Sequence, residues 1–376
     1  MGCNAGAYAM AFVTPLRFTR PLRFTGPLRF IGRSLRRRPT PQCRIVLHIG
    51  RDTPGSTTVR DFCLAGRADL RAQGVDPVTF QYPAADQPDA PGCRTFEELL
   101  AYAQAQPDGV RVLVSNEAMF GWPQALTEAA ARALAGAEVQ VLAYLRPYDA
   151  WAVSSYADDT GRGMNMRDID EYVDWLWPRI SAWPDLKAWG ECFGWGRLRI
   201  RNLSAKSLQG RGVTSDLINA LGLTPIANRA PLSGLAPHWL ELELTRRLAE
   251  GNGEQPWGGV RQAEVEPLLA ELRPLVCGAP ATAYLSLSQR RHLTNLYNED
   301  LARILAAGGP RLTEAKLPSG EERPFAPSFA DAPSEVLRSF FQRTGSASFA
   351  KAYPQAAERV RGLKAELETS RSWRVA

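Results

Sequence analysis

The 376-residue chain has no apolar run that approaches the roughly 20 residues a membrane-spanning helix needs, so no transmembrane segment is expected. Its six cysteines (Cys3, Cys43, Cys63, Cys93, Cys192 and Cys277) contain no C-x-x-C pair, and its three histidines (His48, His238 and His292) lie far apart. That spacing offers no ligand set for zinc, and no metal is expected. Scattered cysteines read as reduced thiols, which points to a cytoplasmic protein. Acidic residues are missing altogether from residues 1–44, which hold nine arginines. Removing those nine charges from the net +6 leaves −3 for the rest. The basic character therefore belongs to the leader. The mildly acidic body argues against a broad nucleic-acid surface, and no specific nucleic-acid partner is expected.

The leader also lacks the apolar stretch of a secretory signal. It contains the repeat "PLRFTR", "PLRFTG", "PLRFIG", whose proline at every sixth residue prevents a helix. Residues 1–43 are therefore expected to be a basic, disordered tail. The alternative is an arm that touches anionic lipid or RNA.

The chain as a whole has the composition of a globular protein, 45% apolar and 22% charged. "RIVLHI" (45–49 with Arg44), "VRVLVS" (110–115), "EVQVLAYL" (138–145) and "RLRIRNL" (197–203) read as four strands. "TFEELLAYAQ", "ALTEAAARALAG" and "TSDLINALGL" read as helices between or after them. The alternation predicts an α/β protein, a parallel sheet flanked by helices in three layers. Beyond about residue 230 the chain reads as helical. The expected organisation is a tail over 1–43, a domain over 44–310 and a helical extension over 311–376.

In "IVLHIGRDTPGSTTV" (45–59), Gly50 and Gly55 have the G-x-x-x-x-G spacing of a phosphate-binding loop between a strand and a helix. Backbone N–H groups, the helix N-terminus and the hydroxyls of Ser56, Thr57 and Thr58 suit an anion. Taken alone, the same spacing describes a turn capped by Ser or Thr. Ser56 stands where a nucleotide triphosphatase needs lysine, and no strand ends in a magnesium-holding acid. ATP hydrolysis is therefore not expected.

A second constellation is "YLRPYDAWAVSSY", in which Arg146 follows a strand and Ser154 lies eight residues on, in the next helix. A guanidinium and a hydroxyl so disposed can grip one phosphate from two sides. Together the two elements resemble the sulfotransferase family that uses PAPS (3′-phosphoadenosine-5′-phosphosulfate), and most closely bacterial members with a "HIGxxKTGSTT"-like signature. The likeness runs over roughly residues 44–310. It implies a P-loop-type sheet and PAPS as co-substrate, with Gly50, Thr53, Gly55, Ser56, Thr57 and Thr58 at the 5′-phosphosulfate end. Arg146 and Ser154 would then hold the 3′-phosphate. The acceptor is a hydroxyl or amine on a small molecule, with a glycan suggested by the family's habits.

The chain departs from that family at Thr53, where the resemblance expects the catalytic lysine. Loss of one such charge-stabilising group typically costs about 10²–10³-fold in rate. Arg51, two residues earlier, is the candidate surrogate cation, and Arg162 and Arg167 are further sources of charge. Glu117, just beyond "VLVS", is the candidate base for the acceptor's proton, with a helix N-terminal acid as its plain reading. His48 reads as a structural histidine in the strand. Six tryptophans between 151 and 195 read mostly as core, with a minority free to line an acceptor cleft. The alternatives are a catalytically degenerate nucleotide-binding protein on the same scaffold and a P-loop phosphotransferase.

Overall fold

Strand β1 (Arg44–Gly50) is buried at every position after Arg44. Its side chains divide between two cores by the period of two: Ile45, Leu47 and Ile49 enter one cluster and Val46 the other. A strand covered on both faces needs parallel neighbours joined by helical crossovers. β1 pairs in parallel with β3 (Arg111–Ser115) and β4 (Glu138–Leu145), while β2 (Val75–Val78) extends the sheet from β3 and β5 (Leu198–Asn202) from β4. The strand order is β2-β3-β1-β4-β5. The computed structural model describes residues 43–51, 56–80, 92–161, 164–203, 212–226, 238–250, 259–276, 284–320 and 332–369. Residues 1–42 of the expected 1–43 tail lie outside the described residues, and Cys43 is buried in the core.

Helices α1 (Ser56–Ala65), α2 (Arg67–Ala72) and α8 (Gly212–Ala220) belong to one face. There Val59, Phe62, Leu70 and Leu217 pack with Val46 and Leu142. Helices α3 (Phe96–Gln104), α4 (Gln124–Ala133), α5 (Tyr148–Gly161), α6 (Ile169–Leu176) and α7 (Trp183–Phe193) supply the other. Their buried Leu99, Ala130, Tyr148, Trp151 and Trp189 pack with Ile45, Leu47 and Val141. The chain is thus an α/β protein with a parallel sheet between helical layers, the class its strand-helix alternation predicts.

Sequence patterning predicts four strands, and the described residues form five. The missed one, β2, reads Val-Asp-Pro-Val, and its proline speaks against a strand. Pro77 is tolerated because β2 is the edge strand and needs ladder bonds on one side only. Asp76, 1% exposed, is held there by Arg71 (2.7 and 2.8 Å), Arg67 (3.2 Å) and the Tyr102 hydroxyl (2.6 Å). Burial pushes its carboxyl up, but these bonds together outweigh that and hold it below the usual carboxylate range.

Later in the chain come α9 (Trp239–Glu250), α10 (Gly259–Leu272), α11 (Leu287–Ala306), α12 (Ser334–Thr344), α13 (Ala347–Ala352) and α14 (Pro354–Thr369). Leu240, Leu244 and Leu268 share one core with Phe340, Val360 and Leu363, so helices on both sides of residue 311 pack together. Leu293, Tyr297 and Ile304 of α11 instead join the sheet core. No described helix is long and apolar enough to cross a membrane.

Candidate functional site

The crossover that leaves β1 runs to the β2 and β3 side, and the one that leaves β3 runs back past β1 to β4, so the sheet has a topological switch point between β1 and β3. Open α/β sheets bind ligands outside the carboxyl ends of their strands at such a point. The register brings the sequence candidates to this end. His48 pairs with Ser115, which sets Glu117 level with Gly50. Gly50 pairs with Tyr144, which sets Arg146 one pleat beyond the end of β1. α1 begins at Ser56, so a helix N-terminus also faces this end. Thr53 and Gly55 lie outside the described residues, as do the side chains of Ser56, Thr57 and Thr58.

Arg146 and Ser154 touch. The Arg146 Nη1 donates to Ser154 Oγ at 2.9 Å, bridging the tip of β4 and the second turn of α5. Both are partly buried. Among the described residues no carboxylate lies within ion-pair distance of Arg146, and burial lowers its guanidinium's affinity for a proton with no acid to offset the effect. A partly desolvated cation without a counter-ion, beside a hydroxyl, is an arrangement made for an anion.

Arg51 goes elsewhere. Its guanidinium lies 3.8 Å from the Trp151 ring centroid, with Tyr148 at 5.3 Å and Phe120 at 5.8 Å. Its Nη2 donates to the Arg179 carbonyl, while Nη1 makes no hydrogen bond. Burial lowers its proton affinity, and Tyr148, Asp185 and Asp300 pull it back up. Arg51 forms part of the wall of a cleft of about 690 Å³, together with Glu117, Phe120, Trp151, Ser155 and Asp185. Glu117 opens a short 3₁₀ turn capped by Asn116, whose Oδ1 accepts from the Ala118 N–H at 3.1 Å.

Two residues of this cleft carry no sequence signal. Asp185, in the first turn of α7, is partly buried, and its carboxyl is pushed up to about 6 by burial, with Arg51 drawing it back. Ser155, 9% exposed, has a buried Oγ without a hydrogen bond. Ser154 and Ser155 are adjacent on α5, so one helix serves both the anion pocket and the cleft. Neither Asp185 nor Ser155 stands in a recognisable motif, and only the packing of α5 against the 176–185 segment brings them to one place.

Asp300 holds that packing. Fully buried on α11, its Oδ2 accepts from the Tyr148 hydroxyl (2.6 Å), Ser181 Oγ (2.7 Å) and the N–H groups of Ala182 (3.0 Å) and Trp183 (3.2 Å). α7 has no side-chain cap of its own. Asp300 caps it from 117 residues away, where a carboxylate also suits the helix dipole.

His48 donates or accepts at 2.8 Å with Ser115 Oγ, lies 1% exposed against Tyr144, and burial lowers its pKa to about 4. It is a neutral packing residue. The tryptophans are less buried than their number suggests. Trp151 and Trp189 are core, but Trp175 and Trp177 are 40% and 38% exposed. Trp175 lines the cleft and lies under two guanidiniums, those of Arg167 (5.5 Å) and Arg179 (5.1 Å). Trp177 packs against His292, with ring centroids 4.4 Å apart and the planes tilted by 37°. Arg162 lies outside the described residues.

No protein-family model matches the chain, and no curated protein matches it. Among solved structures the chain is similar to the crystal structure of a sulfotransferase from Alicyclobacillus acidocaldarius, at 11% identity over 70% of this chain and 96% of that one. The TM-score is 0.36, and a likeness of that degree carries no argument about activity.

Proposed function

We propose that the chain binds PAPS and transfers its sulfuryl group to a hydroxyl or amine of a small-molecule or glycan acceptor. The observation that supports this best is the Arg146–Ser154 pair: a partly buried guanidinium 2.9 Å from a hydroxyl, with no carboxylate paired to it among the described residues, beyond the β4 tip. In this reading Arg146 and Ser154 hold the 3′-phosphate. The amides and hydroxyls of residues 50–58 hold the 5′ end. Bound PAPS supplies a sulfuryl group whose S–O bond to phosphate breaks as a bond to the acceptor's oxygen or nitrogen forms, with a proton released. Two of the carboxylates on the cleft wall, Asp185 and Glu117, are the candidates to take that proton, and burial raises the half-buried Asp185 to about 6. Main-chain amides and Arg146 neutralise the co-substrate's charge, so the reading requires no metal.

Calorimetric titration with adenosine 3′,5′-bisphosphate, with ADP as control, tests the ligand class. A clear preference for the bisphosphate, abolished in Arg146→Ala, is expected. Equal binding of the two nucleotides would end the proposal.

One observation favours a second reading. Thr53 brings no charge to the lysine position, and Arg51 is engaged by Trp151 and the Arg179 carbonyl. On this view the chain binds the nucleotide without transferring sulfate. Thr53→Lys separates the two: activity that appears only in the variant supports a degenerate site, and activity in the unaltered chain supports Arg51 as surrogate.

A further inference from the structure

We propose that the cleft beside the anion pocket recognises a primary ammonium group on the acceptor. Calling the ligand an acceptor rests on the sulfuryl-transfer reading; the ammonium recognition rests on the cleft itself.

Among the described residues four carboxylates line this cleft, Glu117, Asp158, Asp159 and Asp185, with two guanidiniums, Arg51 and Arg179, and a third, Arg167, on the Trp175 ring. The two lining guanidiniums are likewise engaged with ring faces: Arg51 over Trp151 and Arg179 over Trp175. Asp159 accepts from the Tyr172 hydroxyl at 2.6 Å. Asp185 makes no hydrogen bond, and no cation lies within 4 Å of it among the described residues; it only feels the field of Arg51. Ser155 adds a hydroxyl that is nine-tenths buried, lines the same cleft and bonds to nothing. The free groups thus include an acceptor-only carboxylate and a hydroxyl with open lone pairs.

An ammonium is the complementary group. It has three donors and no acceptor, which matches a carboxylate and a hydroxyl oxygen. An anionic acceptor would instead meet the Asp185 carboxylate, which has no cation within 4 Å among the described residues. A metal ion is a poorer occupant, because among the described residues no three His, Cys, Asp or Glu side chains converge closely enough to hold one. The cleft and the Arg146 pocket therefore sort charge between them. The cationic pocket takes the nucleotide and the acidic cleft takes the amine-bearing partner, which keeps each ligand out of the other's place.

The experiment uses the full chain and three tetrasaccharides: glucosamine with free amines, the same tetramer fully N-acetylated, and a tetramer of galacturonate. Binding is followed by tryptophan fluorescence, since Trp151 and Trp175 line the cleft. The free-amine tetramer is expected to bind at least about tenfold tighter than the acetylated one, the low end for a hydrogen bond to a charged group, and galacturonate most weakly. Asp185→Asn should erase the preference, and Ser155→Ala should reduce it. Adenosine 3′,5′-bisphosphate binding on the same samples reports the Arg146 pocket and the integrity of each variant. Equal binding of the three tetramers, or of none at millimolar concentration, overturns the ammonium site even if the bisphosphate binds. An amine preference without bisphosphate binding leaves the ammonium site standing and removes the sulfuryl-transfer reading.

Discussion

His48 makes the fold sensitive to acid. Its imidazole is 1% exposed, and burial lowers its pKa from 6.5 to about 4. Below pH 6.5 the unfolded chain takes up a proton at His48 that the folded chain refuses. Stability is therefore fully present above pH 6.5, falls as the pH drops towards 4, and falls no further from this source below that. A shift of that size corresponds to roughly 3 kcal/mol, at about 1.4 kcal/mol per pH unit. Asp185 acts in the opposite sense over part of the same window. Its carboxyl is raised from 3.8 to about 6, so its contribution is complete below 3.8 and is lost as the pH rises through 6. The two are separated by comparing the unaltered chain with His48→Gln, since both carry Asp185 and glutamine keeps a polar partner for Ser115. Urea unfolding at pH 7.5, 6.5, 5.5, 4.5 and 4.0 gives the stability difference at each pH. The advantage of the unaltered chain should shrink by about 3 kcal/mol from pH 7.5 to 4, well beyond an extrapolation error of 10–15%. A difference that stays flat, or an imidazole that titrates near 6.5 by NMR, would refute the reasoning.

The same contacts set three more outcomes. Arg146→Leu should leave the unliganded thermal midpoint unchanged or raise it, because it removes a partly buried charge that has no counter-ion among the described residues, and should abolish stabilisation by adenosine 3′,5′-bisphosphate. In the unaltered chain that stabilisation should reach about 2.7 kcal/mol at a ligand concentration 100 times Kd. Asp300→Ala should cost about 3–5 kcal/mol in urea unfolding, since it takes away the acceptor of the Tyr148 and Ser181 hydroxyls and the partner of Arg303, and leaves the Ala182 and Trp183 N–H groups only those two hydroxyls to bond to. Gly190→Ala should lower stability by about 1–3 kcal/mol, because a Cβ there would collide with the Trp195 ring well inside van der Waals contact; relief by Trp195→Leu in the same variant would identify the clash.

Much of the sheet is legible in the sequence because each central strand is a short apolar run and each covering helix keeps its own period. β2 is not, because Pro77 argues against a strand and only its place at the edge permits one. The Arg146–Ser154 contact is legible because eight residues span a strand tip and the second turn of the next helix. Asp185 and Ser155 are not, since nothing local distinguishes them from surface helix residues. The cap that Asp300 gives α7 is beyond reach for the same reason: its partners lie more than a hundred positions away. Trp175 and Trp177 mislead in the other direction, because ring size suggests core, whereas both stand at the surface over cations or a histidine.

Helix α5 presents Ser154 to a guanidinium and Ser155, one residue on, to an acid-lined hollow. A stiff rod shared by two binding surfaces cannot shift for one without shifting for the other. Occupancy of either surface should therefore change the affinity of its neighbour, and thermodynamic reciprocity requires the factor to be the same in both directions.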